Sequence, residues 1–237
     1  MCTLTYLPWA DGFAVASNRD ESRARGGMIP PRLDEARRSW YPVDEAGGGT
    51  WLLTAPGRFT LNLMNGGHET HVRTPPYRHS RGIVPLRFAE DGSTGAFLAR
   101  FDFERIEPFT LVIFHHAPRQ VEAIVWTGSS VDRMDYPADQ PHLWSSATLY
   151  DAPARAMRRE WFAETVERMG EARSLEQLLE FHQQGGAHYP DASKRILMER
   201  PGGLRTVCTV GVEHKTKGAR MYFHDLVVGN EQWSSLS

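Results

Sequence analysis

Residues 1–21, MCTLTYLPWADGFAVASNRDE, decide how this chain is read. From Cys2 to Leu7, Leu4 and Tyr6 alternate with Thr3 and Thr5, and from Gly12 to Asn18, Phe13 and Val15 alternate with small residues. Period-two patterning of this kind predicts two β-strands, and Pro8 to Asp11 supplies the turn between them. The chain therefore opens on a hairpin whose second strand runs into a polar cluster, Asn18-Arg19-Asp20-Glu21. Ahead of the first strand stands Cys2. If Met1 is removed, a thiol and a free α-amino group share one residue, which unites a nucleophile with its base. A free cysteine titrates near about 8.5 and an α-amino group near about 7.7 to 8.0, so at neutral pH part of the amine is already a proton acceptor. With Met1 retained the amine belongs to the wrong residue, and a buried cysteine is then only a small hydrophobe.

Working outward, 237 residues allow one large domain or two small ones with a sizeable core. No clean linker is visible, so residues 1–237 are expected to form a single domain. The chain carries 27 Lys plus Arg against 29 Asp plus Glu, with no long block of one sign, which argues against a nucleic-acid partner. No run of about eighteen apolar residues and no basic start followed by an apolar block occur, so no integral membrane segment and a cytoplasmic location are expected. Cys2 and Cys208 lie far apart and outside any CxxC pair, unlike a disulfide framework. The absence of GxSxG, P-loop and GxGxxG patterns removes the common serine-hydrolase and nucleotide readings. His68, His71 and His79 share one loop-rich stretch but lack the carboxylate and spacing pattern of zinc motifs, so neither metal nor cofactor is expected. The expected partner is a small-molecule amide or hydrophobic ligand, with a homo-oligomer left open.

Further along, Gly26 to Pro31 reads as a loop, Gly47-Gly48-Gly49 breaks the chain before Trp51, and Phe59 to Met64 reads as a strand ending at Asn65-Gly66-Gly67. Those glycines permit positive φ and let backbone amides approach a ligand. Ser80 to Phe88 and Gly95 to Phe101 suit short helices. Phe109 to His115 and Val121 to Trp126, separated by Ala117-Pro118-Arg119, form a second hairpin. A helix starts at Asp151-Ala152-Pro153, places Met157, Trp161, Thr165 and Met169 on one stripe, and stops at Gly170. In the next, Ser174 and Gln177 form a capping-box pattern, Leu175, Leu178, Leu179 and His182 make the inner face, and Gly185-Gly186 ends it. Arg205 to Val212 and Ala219 to Leu226 close as strands. Strands, helices and strands in one run point to an α+β arrangement without βαβ units.

Polar groups gather at Cys2, Asn18 to Glu21, Asn65-Gly66 and Trp144-Ser145-Ser146. Singly, each is equally well read as turn chemistry or a surface ion pair. Together, Met1-Cys2-Thr3, Asn18-Arg19-Asp20-Glu21, Gly49-Thr50-Trp51, Leu63-Met64-Asn65-Gly66-Gly67, Ser80-Arg81-Gly82, Glu107-Pro108-Phe109-Thr110 and Trp144-Ser145-Ser146-Ala147-Thr148-Leu149-Tyr150 resemble the NRDE-motif family, in this order and over most of the chain. That family includes the transport and Golgi organisation proteins of eukaryotes. It is similar in turn to the N-terminal nucleophile hydrolases, nearest to the bile-salt and penicillin V acylases. The resemblance implies a four-layer αββα sandwich with two antiparallel sheets flanked by helices.

It also implies roles. Cys2 matches the nucleophile, Asp20 the carboxylate that holds the α-amino group, Asn65 an oxyanion donor and Arg205 a late arginine of the polar network. Arg19 or Arg205 would offset the carboxylate's charge. Asn18, Gly66 and Ser146 would line the substrate. Along an extended strand, Arg19 and Asp20 would face opposite sides. Where the acylases carry an asparagine after a Ser or Thr, this chain has Ser146, a shorter donor. The activity implied is hydrolysis of a linear amide in a small acylated molecule. The alternative is a non-catalytic member that binds or traffics haem or lipid, since eukaryotic relatives are linked to Golgi organisation and lipid homeostasis.

Overall fold

The computed structural model describes residues 3–236, so Met1 and Cys2 lie outside the described residues. In chain order the strands and helices are β1 (Thr3–Trp9), β2 (Gly12–Ser22), β3 (Met28–Asp34), β4 (Ser39–Asp44), β5 (Leu52–Ala55), β6 (Phe59–Asn65), α1 (Val84–Asp91), α2 (Thr94–Arg100), β7 (Phe109–His116), β8 (Arg119–Trp126), β9 (Val131–Tyr136), β10 (His142–Ser145), α3 (Ala152–Met169), α4 (Leu175–Gln184), β11 (Leu204–Lys215), β12 (Gly218–Asp225) and β13 (Asn230–Leu236). Every strand pairing is antiparallel, as expected of an α+β chain without βαβ units.

Two compact units result. One joins the residues up to Arg25 to those from Ala138 onward, and the other spans Gly26–Pro137. The first holds a six-stranded sheet in the order β10-β1-β2-β11-β12-β13. Alternation on β1 and β2 sorts its two faces. Leu7, Ala14 and Ala16 join Trp161, Phe162, Leu175, Leu178, Leu179 and Phe181 in one apolar cluster, so this face is covered by α3 and α4. Gly211 lets α4 lie close, because a Cβ there would approach Leu175 Cδ1 to 2.8 Å.

The second unit is a seven-stranded meander, β3 to β9 in sequence order, with α1 packed on β5 and β6. Phe59 meets Phe88 of α1 edge-on at 5.3 Å, and Phe97, Phe101, Phe103 and Trp126 continue the aromatic packing.

Both expected hairpins and the late helices are present. Asp151 accepts from the Ala154 amide at the start of α3 and Gly170 ends it. At α4 only half of the capping box forms: Ser174 accepts from the Gln177 amide, whereas Gln177 Oε1 is buried without a partner among the described residues. Pro85 sits in the first turn of α1, where an N–H is not required.

Two expectations shift. The loop over Gly26 to Pro31 is strand from Met28 onward, because β3 is an edge strand and its register breaks between Ile29 and Arg32, where two prolines cost no ladder bonds. The turn after β1 shrinks to Ala10-Asp11, with Pro8 opposite Phe13, because β10 pairs only with Thr3 to Tyr6 and leaves that edge open at Pro8. Strands β9 and β13 carry mostly exposed polar residues and gave no apolar alternation to read; the neighbouring ladder holds them.

Glu122 ties β7, β8, β9 and α2 together through His115 Nε2 at 2.7 Å, Arg133 Nη2 at 2.9 Å and the Thr94 hydroxyl. Burial alone would raise its carboxyl, but the hydrogen bonds from His115, Thr94 and Arg133 outweigh it and hold the pKa at about 2, below the ordinary 4.5. This stabilisation is complete above the ordinary value and is lost as pH falls toward about 2. Thermal melts of Glu122→Gln between neutral and acid pH should show lower stability at neutrality and a shallower acid loss than wild type; equally steep loss in both would refute the assignment.

Candidate functional site

Thr3, the first described residue, pairs with Asn18 on β2 and with Ser145 on β10. Asn18 and Asp20 share its face, the one covered by helices. Asp20 is 3% exposed and its two oxygens accept from Tyr150 Oη at 2.8 Å and Thr206 Oγ1 at 2.6 Å. Behind Tyr150 lies Arg158, a fully buried guanidinium stacked 3.5 Å from the ring centroid. It donates to Thr3 Oγ1 at 2.6 Å, to Lys194 O at 3.0 Å and to Arg195 O. Desolvation of so many charged and hydroxyl groups is tolerable only because each has a partner. The chain start, the Asn18 to Glu21 run and the Trp144 to Tyr150 block thus meet in one unit.

Asn18, expected to line a substrate, spends its amide on the protein: Nδ2 donates to His182 O and Ile196 O at 3.0 and 3.1 Å, and Oδ1 accepts from Thr209 Oγ1 at 2.8 Å. Burial pushes the His182 imidazole down to about 3, with the Arg158 charge adding to it, so this ring stays neutral and shares a hydrogen bond with Thr5 Oγ1. Ser146 is 2% exposed and its hydroxyl lies 2.9 Å from Thr148 Oγ1.

Arg19 turns to the opposite face, as strand alternation predicts. It lies 3.4 Å from Glu21 Oε2, which Arg25 also approaches at 3.4 Å. Arg205 of β11 stands in register with Glu21 on this same face. Asp20 and the Arg19-Glu21-Arg205 group are therefore on different sides of one sheet. Sequence reasoning passed over Tyr150, Thr206 and Arg158. Tyr150 sat inside a quoted motif and Thr206 directly after the Arg205 already singled out, while an arginine on the inner side of α3 gives no sequence signal at all.

In the second unit four more motifs meet. The Thr50 amide donates to Gly82 O at 2.8 Å, and Gly49 lies so close to Gly82 that any Cβ on Gly49 would overlap its carbonyl. Arg81 donates to Pro108 O at 3.0 Å and pairs with Glu107 at 3.2 Å. Gly66, at φ +85°, donates its amide to Pro108 O at 2.9 Å, and its carbonyl accepts from Thr110 Oγ1 at 3.0 Å. The Gly66 amide is thus engaged inside the unit. Asn65 ends β6, half-buried, opposite Phe109. His68, His71 and His79 go to three separate acceptors, Asp132, Glu107 and Ser80 O. Among the described residues no group of three ligating side chains could hold a metal. Cys208 is fully buried, and burial pushes its thiol well up, which leaves it chemically inert.

A family model described as Transport and Golgi organisation 2 matches residues 1–215. The chain belongs to that family. The described residues of its seven motifs form two hydrogen-bonded knots in this Transport and Golgi organisation 2 chain, one in each unit. No curated protein matches it by sequence. Among solved structures it is similar to the Caenorhabditis elegans N-acylethanolamine-hydrolyzing acid amidase ortholog, with TM-score 0.57 and 10% identity over 89% of this chain and 92% of that one. It is similar too to the conjugated bile acid hydrolase of Clostridium perfringens, in an arginine-to-leucine variant with TM-score 0.58 and 9% identity over 100% of this chain and 92% of that one. A cysteine-to-alanine variant of the same hydrolase gives TM-score 0.55 and 8% identity over 100% and 97%. The fold is therefore the α+β architecture of the N-terminal nucleophile hydrolases, as the motifs implied. Among the described residues no helix is long and apolar enough to cross a membrane.

Tyr150→Phe removes a buried donor to a carboxylate and should destabilise the chain by about 1.5 to 3 kcal/mol in urea melts. A change below about 0.5 kcal/mol, the size of a neutral surface substitution, would show that Asp20 does not depend on Tyr150.

Proposed function

We propose that this chain is a cytoplasmic cysteine amidohydrolase, acting on a linear amide of a small acylated molecule. The observation that carries the reading is the fold, shared nearly end to end with two amide-bond hydrolases. A fold alone does not make an enzyme, so the chemistry must come from the named residues. Cys2 is the nucleophile once Met1 is removed. Its thiol proton passes to its own α-amino group as sulfur bonds to the amide carbonyl; the tetrahedral oxyanion collapses, the amine leaves with that proton, and water then cleaves the thioester through the same base.

Asp20 is the candidate for orienting the amine, since a carboxylate oxygen that accepts from a hydroxyl can accept from a second donor as well. Arg19 and Arg205 offer positive charge. Asn65 is the candidate oxyanion donor, a role worth about 3 to 4 kcal/mol in comparable sites. We assign Asn18 a scaffolding role, in keeping with its engaged amide.

A second reading, a non-catalytic module for haem or an acyl lipid, is favoured by two details. The Ser146 hydroxyl is turned to Thr148, and the Gly66 amide is consumed by Pro108, so neither is poised as an oxyanion donor.

Intact mass should give a chain lacking Met1, and iodoacetamide should add once, at Cys2, sparing the buried Cys208. A retained methionine with an unmodified Cys2 would remove the enzyme reading. Titration with haem or laurate that is indifferent to Cys2→Ala, together with no turnover of an acyl-amide panel, would favour the module instead.

A further inference from the structure

The edge of a β-sheet carries a row of backbone N–H and C=O groups without ladder partners, and folded chains blunt it with prolines, charges, bulges or brevity. Among the described residues, three of the four sheet edges are blunted in this way. β3 carries Pro30 and Pro31 at a register break. β9 carries charges of both signs, Asp132, Arg133 and Asp135, and runs into Pro137. β10 is four residues long and follows Pro141. The fourth edge, β13, has none of these devices. Its seven residues, Asn230–Leu236, pair with β12 along their whole length without a register shift. They contain no proline, glycine or basic residue, and Glu231 is their single charged side chain. Among the described residues no strand lies against the outer side of β13. At its midpoint Trp233 is 42% exposed, with the Tyr222 ring at 4.9 Å and the Arg220 guanidinium at 4.7 Å, both from β12.

We infer that β13 is an interface strand, and that its partner is the β13 of a second copy of this chain, paired antiparallel across a two-fold axis. Such an interface is isologous, so the strand must complement its own reversed image. Trp233 is the middle residue of Asn230–Leu236, and only the register in which Trp233 meets Trp233 of the second copy pairs the whole strand. In that register Gln232 stands opposite Ser234, Glu231 opposite Ser235 and Asn230 opposite Leu236. No charge then opposes its like, and two indoles form a cross-strand aromatic pair, an arrangement that favours strand association. Arg220 is the β12 partner of Ser235, so this small residue lies between Arg220 of its own sheet and Glu231 of the second copy. A cation and a carboxylate thus share one row across the junction. Two six-stranded sheets would join edge to edge into one continuous sheet, and the exposed indoles would be covered. This association does not depend on the amidohydrolase reading.

The test measures the mass of the full-length chain by sedimentation from micromolar to near-millimolar concentration. The average mass is expected to rise with concentration toward twice that of one chain. Trp233→Lys and Trp233→Glu, each alone, should weaken association about tenfold or more, because each removes the indole pair and sets like charges face to face. An equimolar mixture of the two variants should recover it, since opposite charges meet only where position 233 faces itself. Circular dichroism checks that each variant is folded. Should either fail to fold, hydrogen exchange of the unaltered chain carries the test: amide protection on β13 should increase with concentration while β3, β9 and β10 do not change. A monomer at every concentration would leave this edge to a strand of some other protein and overturn the proposal, as would a dimer that Trp233→Lys leaves intact. Failure of the mixture to associate, growth beyond a dimer, or protection that rises on another edge would each overturn it too.

Discussion

A single buried guanidinium organises the end of the sheet where the chain begins. Arg158 lies on α3 but reaches through its own packing layer to Thr3, to the carbonyls of Lys194 and Arg195 and to the face of Tyr150. Tyr150 then passes its hydroxyl to Asp20, and Thr206 closes the other side. A full charge with no exposure is tolerated only where its donors are met, and here they are met by Thr3 and by the carbonyls of Lys194 and Arg195, with the Tyr150 ring stacked on the guanidinium. Remove that cation and the segments have no common partner. The polar motifs of the first unit are in this sense attachments to Arg158 as much as catalytic candidates.

The second constraint is the period of two along β2. It divides one short motif between two environments: Asn18 and Asp20 are sealed beneath helices, while Arg19 and Glu21 lie on the other face with Arg205. Adjacent residues so divided cannot act as one catalytic pair on the same side. Asp20 serves a hydroxyl network, and Arg19 serves Glu21. The bulge between Thr206 and Cys208 on β11 lies opposite this stretch, so the ladder adjusts on the partner strand and leaves β2 regular.

The second unit follows a similar plan with different chemistry. Its motifs are joined mainly through backbone carbonyls, with Pro108 O receiving both the Arg81 guanidinium and the Gly66 amide, and Gly49 pressed onto Gly82. Gly49 is required there because a Cβ would come within 2.3 Å of the Gly82 carbonyl carbon. Glycine in these motifs answers to close backbone approach at Gly49 and to a positive φ at Gly66.

The sequence by itself determined the opening hairpin, the second hairpin, both late helices with their caps and the α+β class, because apolar period, caps and turn residues are local signals. Its motif order also identified the family. Tertiary structure alone decided the edge strands β9 and β13, whose polar residues are held by a neighbour's ladder, and the strand character of Pro30 and Pro31 at a register break. It alone decided that Asn18 and the Gly66 amide are consumed internally and that Arg158 is the hidden partner of Tyr150. These are facts of long-range pairing: a residue's type announces what it can bond, but only the assembled chain fixes what stands within reach.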